Sequence, residues 1–221
     1  MTDAPEPLAA RRSFLSHLAA AAAAIGLTSA PARASAQADG FRAARHPQDD
    51  WLDALPGRHR IVLDAISASG ADDVRQFASN FFVANRTGYG LAPPDLAVVI
   101  ILRHWATAFA FNDAMWAKHG AAIGKIISFA DPATHAAPRS NVYLTSGVAL
   151  TGLITQGVHF AVCGMATRFL AGSIADEASG NANAIYDELA ANLIPNSHVV
   201  TAGIVAVNRA QERGYTYTYV G

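Results

Sequence analysis

The chain has 221 residues, of which 52% are hydrophobic and 15% charged, and its formal net charge is −1 at pH 7. This composition suffices for one hydrophobic core of ordinary domain size. It contains no cluster of Lys and Arg of the kind that phosphate binding requires, which argues against nucleic acid as a partner. The single cysteine, Cys163, excludes an internal disulfide and leaves a thiol that is inert, reactive or paired between chains.

The N-terminal segment, residues 1–38, resembles a twin-arginine export signal. Arg11 and Arg12 precede an alanine-rich apolar run at residues 18–27, and small residues suited to cleavage follow at 34–38. The run is too short to cross a bilayer as a helix, which takes about 20 residues. We therefore expect a signal peptide over residues 1–38, a periplasmic mature protein and no membrane span in the mature part. The resemblance implies folding before export, since the twin-arginine route carries folded proteins.

The rest of the chain alternates between strand and helix patterns after an irregular N-terminal arm at residues 39–58, which carries one predicted helical turn at 51–55. Short apolar runs predict five strands, at residues 59–66, 95–102, 158–163, 198–202 and 215–220. Helical spacing predicts helices at 72–85, 107–119, 144–156, 168–175, 184–193 and 204–213, and a short strand is possible at 126–129. The alternation predicts an α/β domain over residues 59–221, with a mostly parallel five-stranded sheet, helices on both faces and a flavodoxin-like layout.

The segment GVHFAVCG at residues 157–164 carries a family resemblance. A glycine, an alternating apolar strand and a cysteine at its end before a helix are similar to the DsrE/DsrF-like family, and the tail at 199–221 resembles the end of that family. The resemblance covers residues 59–221. It implies an α/β protein that forms homo-oligomers, and, as in several members, sulfur carried on the cysteine matching Cys163. The best-known members are cytoplasmic, whereas RHW at 103–105 and NDAMWAK at 112–118 resemble an exported subgroup of uncertain role.

Cys163 is the leading candidate for chemistry. It follows a predicted parallel strand at the edge where open α/β sheets bind ligands, and a helix is expected to start just after it. A helix N-terminus stabilises a thiolate, which is the nucleophile that accepts or donates sulfane sulfur. The alternative is a small buried hydrophobic residue, a common role of free cysteine.

His104 and Arg103 follow the second predicted strand and are expected at the same edge of the sheet. An imidazole there could act as a base, bind a metal or orient an anion. The alternative is a histidine hydrogen-bonded beneath the loop at Trp105. Arg103 could bind an oxyanion or be a solvated charge at the strand end.

Backbone groups near two turns are further candidates for ligand binding. Ser67 and Ser69 follow the first strand, and Gly164 and Met165 follow Cys163. The alternative for the serine turn is an ordinary helix cap, and the acidic pair at residues 72–73 would repel a phosphate there.

No metal site is predicted from the spacing of histidines and the cysteine. His159 and Cys163 face the same side of one strand, but four residues at about 3.3 Å each place them about 13 Å apart, too far for one ion. His119, His135 and His198 show no ligand spacing. The sequence identifies no cofactor.

These observations favour an exported DsrE-like protein that binds or transfers sulfane sulfur through Cys163, supported by His104, as a sulfurtransferase-like carrier. The expected partners are further copies of the chain and a sulfur donor, acceptor or small ligand. Two alternatives remain open: a non-catalytic periplasmic module that binds a small molecule, haem or a metal in the same cleft, and a structural oligomer subunit with a large aromatic interface.

Overall fold

A five-stranded, fully parallel sheet organises the molecule. The computed structural model describes residues 42–221, and the predicted signal peptide lies outside them. The strands are β1 (His59–Ala65), β2 (Leu96–Leu102), β3 (His159–Cys163), β4 (Ser197–Val200) and β5 (Thr216–Tyr219). Their order across the sheet is β4-β3-β2-β1-β5. The predicted α/β, flavodoxin-like fold is therefore confirmed.

Helices connect and flank the strands. Within residues 42–221 they are α1 (Trp51–Ala54), α2 (Ala68–Tyr89), α3 (Asp113–Ile126), α4 (Val142–Thr145), α5 (Leu150–Thr155), α6 (Gly164–Ala178), α7 (Ala182–Ala191) and α8 (Gly203–Gln211). Three short 3₁₀ segments add to these, at Pro47–Asp49, Pro93–Asp95 and His104–Ala110. No helix in this part of the chain combines the length and apolar character needed to span a bilayer.

The two faces of the sheet carry cores of different size, because of the direction in which the chain crosses it. From β1 to β4 every connection advances the same way, so right-handed crossovers place α2 to α7 on one face. Only the connection from β4 to β5 runs back, which places α8 on the other face. The broad core on the first face includes Phe109, Trp116 and Phe160. We call the core on the second face the narrow core; α8 and the arm residues Leu52 and Leu55 cover it.

Residues of a strand alternate between these cores. β2 is apolar and buried along its whole length, as expected for a strand covered on both faces. On β3, Phe160 and Val162 belong to the broad core and Ala161 to the narrow core. The two-residue period therefore places His159 and Cys163 on the narrow-core face, at opposite ends of β3.

Side-chain caps set the first residue of three helices, and all three starts differ from the predicted ones. Two helices begin earlier than predicted and one begins later. Ser67 accepts the backbone N–H of Gly70 at 2.8 Å, so α2 begins at Ala68, before the predicted residue 72. Cys163 caps α6, which begins four residues before the predicted residue 168. The prediction of a helix at 107–119 was wrong at its start: the segment begins as a 3₁₀ turn, and Asn112 caps α3.

Two other predictions were wrong between β2 and β3. Residues 126–129 form no strand, because α3 continues through Ile126. The single helix predicted at 144–156 is two short helices, α4 and α5. Gly147, with φ of 59° in the left-handed region, lies in the break between them.

Candidate functional site

A cavity of about 340 Å³ opens at the carboxyl edge of the sheet, beside the ends of β2 and β3. Three residues predicted from the sequence, Arg103, His104 and Cys163, line it together. Met165, a fourth, lines it as well. The volume lies in the usual range for small-molecule sites. The topology thus brings residues that are 60 positions apart in the chain to one opening.

Cys163 is held at the junction of β3 and α6. Its side chain is 7% exposed, and its sulfur accepts the backbone N–H of Ala166 at 3.4 Å. Thr167 donates its hydroxyl to the Cys163 carbonyl oxygen at 3.0 Å and anchors the first turn of the helix. The sulfur therefore sits at the positive end of a helix of 15 residues, and Cys163 also lines the cavity. Both the amide and the helix dipole are placed to stabilise negative charge that develops on the sulfur during a reaction.

Gly164 lets the chain turn directly from β3 into α6. A Cβ at this position would lie 2.8 Å from the carbonyl oxygen of Val200, so any larger residue would push β4 away. Gly164 lines a neighbouring depression of about 370 Å³ rather than the cavity itself. Met165, which is 66% exposed, borders both.

Arg103 is fixed by a buried carboxylate. Asp64, at the end of β1, is completely buried and accepts from Arg103 Nε at 2.8 Å and Nη2 at 2.9 Å. Tyr217 of β5 donates its hydroxyl to Asp64 at 3.1 Å. The hydrogen bond to Asp64 raises the pKa of Arg103, and partial burial together with the Asp64 charge raises the pKa of Tyr217. The guanidinium that lines the cavity is therefore already paired with an opposite charge.

The first turn of α8 lies directly against Arg103. A Cβ on Gly203 would come within 2.5 Å of Arg103 Cβ and 2.9 Å of its Cδ. Gly203 is therefore the residue that allows the arginine stem to pass between the sheet edge and α8. Ala202, Gly203 and Ile204 form the wall of the cavity on this side.

His104 lies at the rim of the cavity in an uncommon backbone conformation. Its φ is 52°, in the left-handed region, and its exposed ring packs against Trp105 with 4.3 Å between ring centroids. The next backbone amide, that of Trp105, donates to the carbonyl of Ile66 at 3.0 Å and secures the turn. No described residue hydrogen-bonds to the His104 ring, which leaves it available to a molecule in the cavity.

The apolar lining comes from residues that remain substantially exposed. Phe169 is 54% and Ile204 60% exposed, and Trp105 packs against Phe169 with 5.6 Å between ring centroids. Together with Met165 they give the cavity apolar walls.

Ser67 and Ser69 are not brought to the cavity. Ser67 caps α2, and its hydroxyl lies 3.0 Å from that of Ser69. This turn is therefore an ordinary helix cap, the alternative considered above, and not part of the cavity. Nearby, Asp72 forms an ion pair with Arg75 on the same helix.

Two functional-site features were missed from the sequence: Asp64 with its partners, and the apolar wall of Phe169 and Ile204. Asp64 had a readable signal, because a lone acidic residue in the buried strand IVLDA demands a partner. The partner, Arg103, directly follows the adjacent strand. The wall residues had no signal distinct from ordinary helix faces.

A second polar group occupies the other end of β3. His159 Nδ1 and His198 Nε2 are 2.9 Å apart, and Trp51 stacks on His198 with centroids 4.0 Å apart. Burial lowers the pKa of both histidines, and the neighbouring His159 lowers that of His198 further.

The histidine pair is built for a hydrogen bond rather than a metal. The imidazole centroids are 5.2 Å apart, close to the largest separation that a 2.9 Å N···N contact permits. The rings therefore meet edge to edge, and the facing nitrogen atoms point at each other instead of converging on a third point. Within residues 42–221, no three His, Cys, Asp or Glu side chains form a group that could hold a metal ion.

Comparisons with known proteins add no functional assignment. No protein-family model matches the sequence, and no curated protein matches it. Among solved structures the chain is similar to a protein of unknown function from Methanobacterium thermoautotrophicum, with 15% identity over 73% of this chain and 99% of that one. The TM-score is 0.39, and a likeness of this size carries no argument.

Proposed function

We propose that this chain is an exported DsrE-like protein that binds or transfers sulfane sulfur through Cys163. The observation that supports this most is the position of the sulfur. It accepts an amide N–H at the start of α6, in a residue that also lines an open cavity. A structural cysteine needs neither the helix N-terminus nor the opening.

The proposed reaction moves one sulfur atom between two thiol groups. The Cys163 thiolate attacks the outer sulfur of a persulfide donor R–S–S–H. The new S–S bond forms on Cys163 as the donor S–S bond breaks, and R–S⁻ leaves with the electron pair. The transferred sulfur keeps its proton, so the product is Cys163–S–S–H. Cys163 is oxidised to the persulfide level and the donor sulfur is reduced to a thiolate, with no further oxidant required.

His104 and Arg103 have supporting roles in this proposal. His104, exposed at the rim, accepts the thiol proton that must leave Cys163 before attack. Arg103, held by Asp64, orients the leaving thiolate with its remaining N–H groups. Periplasmic location and homo-oligomer formation follow from the export signal and the family resemblance and belong to the same proposal.

The test is covalent loading of the purified protein. Wild-type protein incubated with a persulfide donor and then desalted should gain the mass of one sulfur atom, removable by dithiothreitol. Cys163→Ser should gain none. His104→Ala should load at least tenfold more slowly, in the range expected for losing a general base. His135→Ala is the matched control, because His135 is also exposed with a left-handed φ of 56° but lies outside the cavity lining. Absence of sulfur on the wild type would end the proposal.

The apolar walls of the cavity favour a second candidate, a binding module for a small molecule or haem. Protein purified from its native compartment would then carry a bound chromophore or ligand, visible in an absorption spectrum or by mass spectrometry, while Cys163 stays inert to persulfide donors.

A further inference from the structure

The cavity is larger than sulfur transfer alone requires. Its volume of about 340 Å³ equals that of about eleven water molecules at about 30 Å³ each. The transferred group is a single sulfur atom, and an inorganic donor such as thiosulfate would leave most of this space to water.

The charge of the cavity also argues against a small inorganic dianion. Arg103 is the cationic side chain of the lining, and Asp64 cancels its charge through two hydrogen bonds. The positive end of α6 is already directed at the Cys163 sulfur, through the amide of Ala166. A dianion entering this space would therefore lose hydration without meeting a side chain whose positive charge is free, which is unfavourable. A donor with little charge meets no such penalty.

The walls are suited instead to an apolar body. Met165, Phe169 and Ile204 are 66%, 54% and 60% exposed. The ring of Trp105 packs against that of Phe169. Covering these side chains removes apolar surface from water, which is the main source of affinity in sites of this kind.

Building on the function proposed above, we propose that the sulfur donor is an organic persulfide with an apolar aryl or alkyl group. That group lies against Phe169, Met165 and Ile204, and its outer sulfur is directed at Cys163. The transfer is the step already described, with R apolar: the Cys163–S bond forms, the donor S–S bond breaks, and the apolar thiolate R–S⁻ departs with the electron pair.

The first experiment compares the rates at which three donors load Cys163: benzyl persulfide, glutathione persulfide and thiosulfate. We expect benzyl persulfide to load at least tenfold faster than either polar donor at equal concentration. Phe169→Ala should lower the benzyl rate about tenfold, equivalent to about 1.4 kcal/mol, and lower the thiosulfate rate by a clearly smaller factor. Phe77→Ala is the matched control, an exposed phenyl (46%) on α2 outside the cavity lining.

A second experiment does not depend on transfer. Benzyl methyl sulfide, which cannot donate sulfur, is titrated calorimetrically into wild type, Phe169→Ala and Phe77→Ala. Weaker binding by Phe169→Ala alone supports the apolar site, and equal binding by all three overturns it. If all donors load Cys163 at similar rates, the donor class is wrong while sulfur transfer stands. If no donor loads Cys163, sulfur transfer itself is wrong.

Discussion

The side chains at the two ends of β3 point to the same face of the sheet, but one is covered and the other lines an open cavity. At its start, His159 is hydrogen-bonded to His198 and shielded by Trp51. At its end, Cys163 lines an open cavity whose charged wall is Arg103. Both ends offer groups capable of chemistry. What separates them is the cover that arrives from elsewhere in the chain.

The cover at the histidine end comes from the N-terminal arm. Arg60 donates to the carbonyls of Leu52 and Leu55, and Tyr215 donates its hydroxyl to Leu52 at 2.7 Å. These bonds hold α1 on the narrow core and place Trp51 over His198. At the cysteine end, Gly203 has no side chain and Ala202 only a methyl group, so the space stays open.

The largest effect is expected at the cysteine end of β3, from removing the buried charge of Asp64. Asp64→Asn should lower the free energy of unfolding by about 3 kcal/mol, because it breaks an ion pair whose carboxylate is fully buried and leaves the partly buried Arg103 without its counter-charge. Urea denaturation at neutral pH measures the change. Lys125→Ala, which removes an exposed ion pair with Glu177, is the control and should stay within about 0.5 kcal/mol of wild type. A loss below about 1 kcal/mol for Asp64→Asn would contradict the structural role given to this pair.

A smaller effect is expected from filling the space beside Arg103. Gly203→Ala should cost about 2 kcal/mol, since its Cβ would meet the arginine stem at 2.5 Å and force a shift of the cavity wall. It should also slow the loading of Cys163. Gly88→Ala on α2 meets no atom within 4 Å and should instead stabilise the protein by about 0.5 kcal/mol. If both variants gained stability in the same assay, the close approach of α8 to Arg103 would be wrong.

The smallest effect concerns the histidine end and depends on pH. Because the folded-state pKa values of His159 and His198 are lowered from 6.5, the unfolded chain binds more protons than the native state just below that pH. Stability from this pair is therefore fully present above pH 6.5 and declines as the pH falls below it. His159→Gln with His198→Gln should flatten this decline between pH 7 and 5, as measured by urea denaturation.

Phe77→Ala serves as the control for the pH series, since it removes an exposed side chain that carries no titratable group and should leave the slope unchanged. An equal slope in wild type and the double variant would show that the pair titrates as in an unfolded chain.

Much of the fold could be predicted because its signals are local. Seven consecutive apolar residues at 96–102 can only be a short element covered on both faces, and they form β2. The first residues of helices were harder to predict, because Ser67 and Cys163 cap helices that begin earlier than apolar spacing indicates. The same local reasoning placed Cys163, His104 and Arg103 at one edge of the sheet, where all three line the cavity.

The sequence by itself determined the succession of strands and helices and the ends at which their polar residues stand, because these depend on the spacing of neighbouring residues. Only the tertiary structure decided what those residues meet. Tyr217 reaches Asp64 across 153 positions because β5 pairs with β1. Trp51 likewise covers His198 because the arm packs on the narrow core. Such contacts depend on strand order and on which face each crossover takes, and no local pattern of side chains records either.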